Sequence, residues 1–197
     1  LYSQQNCNLP EGRCADLAFR LAVYESGHAL VARALGLRIH TLRMLPRPPV
    51  LLSDKAFRGR DWSSFSEALE IRVMELFGGQ IAEEIACGSN SCCSGAIARI
   101  DELTRLLAGL GDPRDPEDIW FDLEDRTREI FAAPAFEAAI LVVAEYLHAR
   151  VQAGDEIIDG PVIEALLSKN LPARAKESRL RRALGLGRRK PRPEAVK

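Results

Sequence analysis

The sequence predicts a mainly α-helical single domain with a small β-hairpin or short sheet after its first helix. Three observations predict this. Apolar residues return at three- and four-residue steps through most of the chain, one clear segment alternates with period two, and no internal repeat divides the pattern. At 197 residues the chain suits one domain and is long enough to bury a core.

Residues 1–15 read as an N-terminal extension, 16–170 as the domain, and 171–197 as a basic, partly disordered tail. The domain opens with Leu17, Leu21, Tyr24, His28, Val31 and Leu35 on one helical face, and Gly36 supplies a stop. Leu37 to Leu45 alternates apolar and polar residues until Pro46, Pro48 and Pro49 interrupt pairing, so this is the predicted strand. Val50-Leu51-Leu52 is its expected partner. A capping box, Ser64-x-x-Glu67, then starts a helix through Leu69, Val73, Leu76 and Phe77 towards Ala86. Gly78-Gly79 in its middle costs about 1 kcal/mol per glycine relative to alanine, which predicts either close approach of another helix or a break.

A small polar loop, residues 88–94, precedes a helix over 95–110, and Asp112-Pro113-Arg114-Asp115-Pro116 interrupts it. Further helices are expected over 117–131 and from Pro134 to about Val151. Asp159-Gly160-Pro161 opens a last short helix carrying Ile163, Leu166 and Leu167.

The net charge of −1 gives no global electrostatic case for nucleic acid or membrane binding. Basic residues gather late, at Arg174, Lys176, Arg179, Arg181, Arg182, Arg188, Arg189, Lys190 and Arg192, which read as a solvated tail or as a contact for an acidic partner. No apolar run reaches the roughly 18–20 residues that span a bilayer, and the start lacks a signal-like core, so a cytoplasmic location is expected; an upstream ATPase or anchor segment stays open. The five cysteines, Cys7, Cys14, Cys87, Cys92 and Cys93, show no C-x-x-C spacing and are expected to be reduced. Cys92 and Cys93 with His28 form an alternative soft metal set. His40 is expected at the surface, and His148 at a helix end or the surface.

The segment that speaks to chemistry is Tyr24-Glu25-Ser26-Gly27-His28. It has the form H-E-x-x-H with tyrosine in place of the first histidine. Positions four apart lie on one helical face, where two imidazoles would grip a zinc ion and the glutamate would act as general base on metal-bound water. Tyrosine binds zinc only after losing a proton whose reference pKa is about 10, whereas neutral imidazole is ready at physiological pH.

Several further blocks share an order with this motif. Ala22 to Ala32 resembles H-E-A-G-H-A-L-V-A, Phe77-Gly78-Gly79-Gln80-Ile81-Ala82-Glu83-Glu84-Ile85 resembles L-G-G-R-x-A-E-E, and Ser94-Gly95-Ala96 resembles T-G-A. Ile39 to Arg43 with Leu45-Pro46-Arg47 echoes a strand ending in I-P-R, and Glu156 to Ile163 is similar to E-x-L-D-G-x-x-I. Together, over roughly residues 16–170, they resemble the zinc peptidase domain of FtsH-type AAA proteases.

The resemblance implies a peptidase-like helical domain, zinc, assembly as a ring or beside an AAA protease, and peptide or protein ligands. It places the family's third metal ligand, an aspartate, at Arg99, whose permanent positive charge opposes a dication. Asp101, two residues on, lies about 200° round a helix and would reach the site only after a two-residue shift of the preceding loop. With Tyr24 and Arg99 both substituted and only His28 kept, the expected protein is a degenerate, catalytically impaired binding or assembly module without a cofactor. An ion pair of Arg99 with Glu25 is expected to fill the metal's place. The alternative is an active zinc metalloendopeptidase with a rearranged site, working with an ATPase segment outside this chain, since no G-x-x-x-x-G-K-[ST] loop occurs.

Overall fold

The computed structural model describes residues 12–54, 61–90 and 94–171. It is mainly helical, with one small antiparallel sheet, as the periodicities predict. A 3-10 turn, Arg13–Ala15, leads into α1, Leu17–Ala34. Then follow β1, Ile39–Arg43; β2, Val50–Ser53; α2, Trp62–Cys87; α3, Ser94–Gly109; α4, Pro116–Phe131; α5, Pro134–Gln152; β3, Ile157–Asp159; and α6, Gly160–Asn170.

Helix α1 is the axis of the domain. Every residue from Ala22 to Arg33 is buried, beneath α2 on one side and α5 on another, with the sheet and α6 towards its C-terminal end. The sequence predicts one buried face, and the structure buries every face from Ala22 to Arg33. Alanine, serine and glycine on the faces away from the leucines are short enough for neighbours to close in all round. The expected first member of the apolar stripe, Leu17, is instead 49% exposed at the open N-terminal end.

Helix α2 starts earlier than the expected capping box. Asp61 is its N-cap, its carboxylate accepting from the Ser64 amide at 2.8 Å, so Ser64 is a receiver of the cap and not the cap itself. Gly78-Gly79 does not break the helix; it continues to Cys87 and ends on Gly88 in the left-handed region, φ 68°. Of the two expectations for the glycine pair, close approach is the one realised.

The sheet runs β2-β1-β3, both pairings antiparallel. Leu42 on β1 stands opposite Leu51 on β2 and Ile158 on β3. The hairpin is the expected one. The third strand is missing from the sequence reading because three residues, Ile157–Asp159, carry too short a pattern to register. Between them, β1 and β3 join the Ile39–Arg43 block to the closing block, pairing Leu42 with Ile158, 116 positions further along the chain. The α4 and α5 axes meet at 85° across Ala132 and Ala133, and among the described residues no single helix is long and apolar enough to cross a membrane.

The cysteine expectation is corrected. Cys14 and Cys87 form a disulfide, their Cα atoms 5.6 Å apart across a sequence separation of 73. No local spacing encodes this pair; the packing of α1 against α2 brings the turn before one beside the end of the other. Of the two expectations for His148 the surface one is corrected: close to the C-terminal end of α5 it is buried, its Nε2 2.8 Å from Asp16 Oδ2 and its ring edge-on to Phe19. His40 is at the surface as expected, with Asp54 2.7 Å away. The tail and the Cys92-Cys93 metal alternative lie outside the described residues.

Candidate functional site

The candidate site is the crossing of α1 and α2, where the Tyr24–His28 motif meets Gly78-Gly79. A Cβ on Gly27 would collide with the Gly78 carbonyl and lie 2.5 Å from Ala82 Cβ; one on Gly78 would lie 2.8 Å from the Gly27 carbonyl oxygen. The two backbones therefore touch, and glycine at 27 and 78 is a condition of the crossing. A Cβ on Gly79 would lie 2.5 Å from His28 Nε2 and 2.9 Å from Tyr24 Cε2, so the imidazole and phenol rings rest on bare glycine backbone. The two rings meet edge to face, centroids 4.6 Å apart.

Glu25 is 2% exposed, and His28 Nδ1 stands 3.3 Å from its Oε2. With Nδ1 donating to the carboxylate, a neutral His28 carries its lone pair on Nε2. That nitrogen is buried and has no hydrogen-bond partner among the described residues, as is also true of Gln80 Oε1 on the next residue of the glycine pair. Glu25 thus finds its partner within its own helix, three residues away.

The expected Glu25–Arg99 ion pair is not formed. Arg99 lies on α3 with its side chain 61% exposed and donates to Glu102 at 2.6 Å. A cation on an exposed helical face satisfies itself with the acid one turn on at little desolvation cost, whereas burying it beside Glu25 would strip its water. Asp101 accepts from Arg105 at 2.9 Å and borders a groove of about 520 Å³ between α3 and α4, which includes neither Glu25 nor His28.

The described residues at this crossing do not fit zinc. Among the described residues no three His, Cys, Asp or Glu side chains are grouped to hold a metal ion. Tyr24 packs its ring on Gly79, Arg99 faces outward, and His28 Nε2 abuts Gly79. One lone pair is left where a structural or catalytic zinc site takes at least three protein donors.

Two groups that sequence reasoning missed brace this crossing. Glu83 is fully buried and accepts from Arg20 Nε at 2.7 Å, while Arg20 Nη2 also donates to the Ser89 carbonyl at 2.9 Å. Glu75, also buried, accepts from Ser53 Oγ at 2.8 Å and pairs with Arg72, fastening β2 to α2. An acid set among apolar helix residues, as Glu75 is between Met74 and Leu76 and Glu83 after Ile81 and Ala82, is the available signal, since a carboxylate on a core face needs a cation or donor.

Further out, Glu70 on α2 meets Arg114 and Arg126, which also share Asp122. Burial pushes the Glu70 carboxyl above the usual carboxylate range, outweighing the pull of Arg126 and Arg114. At the other end of the domain, partial burial works to raise Asp16, but hydrogen bonds from the Ala18 amide and His148 prevail and hold it below its usual value. No family model matches the chain, and no curated protein matches it.

Proposed function

We propose that this chain is a degenerate relative of the FtsH-type zinc peptidase domain, whose motif helix has become a structural axis and which serves as a binding or assembly module. The observation that carries the reading is the use made of the metal-ligand positions. His28 is held between Glu25 and Gly79, Tyr24 packs edge-on against it, and Arg99 points to solvent with Glu102. The blocks that carry the resemblance also converge: Ala22–Ala32 crosses Phe77–Ile85 backbone to backbone, and the strand block pairs with the closing block. Such convergence supports shared ancestry, while the lost ligand set speaks against the chemistry. Self-association or docking on an AAA protease belongs to the same proposal through the resemblance.

The deciding experiment is metal analysis of the purified full chain beside a casein cleavage assay with and without chelator. Zinc well below one equivalent and no chelator-sensitive cleavage are expected. Stoichiometric zinc with chelator-sensitive cleavage overturns the reading in favour of an active metallopeptidase with a rebuilt site.

A further inference from the structure

We propose that the groove between α3 and α4 is a docking site for the chain's own basic segment, residues 174–192. The groove holds about 520 Å³ and is walled by Thr104 and Arg105 of α3 and by Glu117, Trp120 and Phe121 of α4. Phe121 stands 55% exposed on its rim. At the rim of the concavity its ring offers an apolar surface to an incoming leucine.

The charge around it is unbalanced. Glu117, Asp118, Asp125 and Glu129 are exposed on α4, and no ion pair forms to them among the described residues. The nearby cations are committed elsewhere: Arg105 to Asp101, Arg114 and Arg126 to Asp122, Arg128 to Glu84 and Glu124. The outer face of α4 is therefore a net acidic strip flanking an aromatic groove.

The complementary charge lies in the same chain. Residues 172–197 hold ten Lys and Arg against two Glu, leaving seventeen Lys and Arg against twenty-six Asp and Glu in residues 1–171. The near-zero net charge conceals an acidic body and a strongly basic segment. Within that segment, Arg179-Leu180-Arg181-Arg182-Ala183-Leu184 alternates cations with leucines, which suits acids set around Trp120 and Phe121. Reach is no obstacle. Twenty residues beyond Leu171 can extend about 65 Å, and a domain of this length is about 40 Å across. A tethered segment also meets the groove at a high effective concentration, so modest contacts suffice. Nucleic acid is the poorer occupant for the segment, because the acidic body would repel the phosphates it was brought to bind.

The test is zero-length carbodiimide cross-linking of the full chain at low salt, with the monomer fraction analysed by peptide mass spectrometry. Lys176 or Lys190 joined to Glu117, Asp118, Asp125 or Glu129 is the expected product, and 1 M salt, where the Debye length falls to about 3 Å, should abolish it. In parallel, the Trp120 indole resonance should shift in R179E/R181E/R182E while that of Trp62 stays in place. The reciprocal variant D125K/E129K, which leaves the groove wall and the first turn of α4 unchanged, should shift Trp120 in the same way. Cross-links confined to dimers, cross-links to other acids, or a Trp120 resonance indifferent to both variants would overturn the proposal.

Discussion

Replacing Gly27 by alanine tests the crossing on which the candidate site rests. The new methyl would sit 2.5 Å from Ala82 Cβ and 2.7 Å from the Gly78 carbonyl carbon, besides its collision with the Gly78 oxygen. Carbon atoms pack best at about 3.5–4.0 Å, so α1 and α2 must part by roughly 1 Å, enough to forfeit a quarter to a half of each contact they share. Two of the obstructing atoms are backbone and cannot rotate away. Overpacking of this kind costs about 1–3 kcal/mol, and the rigid obstacle places it at the upper end. Alanine's better helix propensity returns about 1 kcal/mol, for a net loss of about 2 kcal/mol. In a chain of this length that lowers Tm by about 4–8 °C. Gly109→Ala is the control: it is the last residue of α3, nothing would stand within 4 Å of its Cβ, and only part of the interior propensity gain applies. Its Tm should stay level or rise by up to about 2 °C. Calorimetry on both variants decides the matter, and a Gly27→Ala protein as stable as wild type would refute a backbone-to-backbone crossing.

Three further outcomes follow from the described contacts. Closing a loop of 73 residues gives the Cys14–Cys87 bond an entropic contribution of about 4 kcal/mol, so reduction should lower Tm by about 8–16 °C; a thiol titration of the unfolded, unreduced protein that finds all five cysteines free would refute the bond. Glu70, with its pKa raised by burial, contributes stability that is full below its ordinary value and is lost as pH rises through its folded value. Glu70→Gln should therefore compare better with wild type at pH 7 than at pH 4, and the reverse order in thermal melts would contradict the assignment. Asp16, held low by the Ala18 amide and His148, contributes stability present above its ordinary value and lost as pH falls through the lower folded one. Asp16→Ala should cost about 1 kcal/mol or more at neutral pH through the lost cap, a deficit that narrows in acid denaturation curves below about pH 4; a deficit independent of pH would exclude the carboxylate's part in it.

The elements themselves were legible because each rests on local rules. Three- and four-residue apolar steps gave the helices, and Pro134 begins α5 as a first-turn proline does, whereas Pro116, expected in the interruption before α4, is its first residue. Alternation from Leu37 to Leu45 gave β1, and the glycine pair announced that something approaches α2 closely. The sequence also marked the H-E-x-x-H-like motif with tyrosine at its first position, while the place of Arg99 in a ligand set was only what the family resemblance implies. What α2 approaches, and with which atoms, depends on contacts between residues some fifty positions apart, and periodicity carries no information at that range. Hence the disulfide, the Arg20–Glu83 brace, the burial of His148 and the partner of Glu25 were decided only by tertiary structure. Arg99 shows the physical reason most directly. Its charge was readable, but whether that charge pays for burial beside Glu25 or stays in water beside Glu102 is settled by desolvation, which depends on where packing leaves α3.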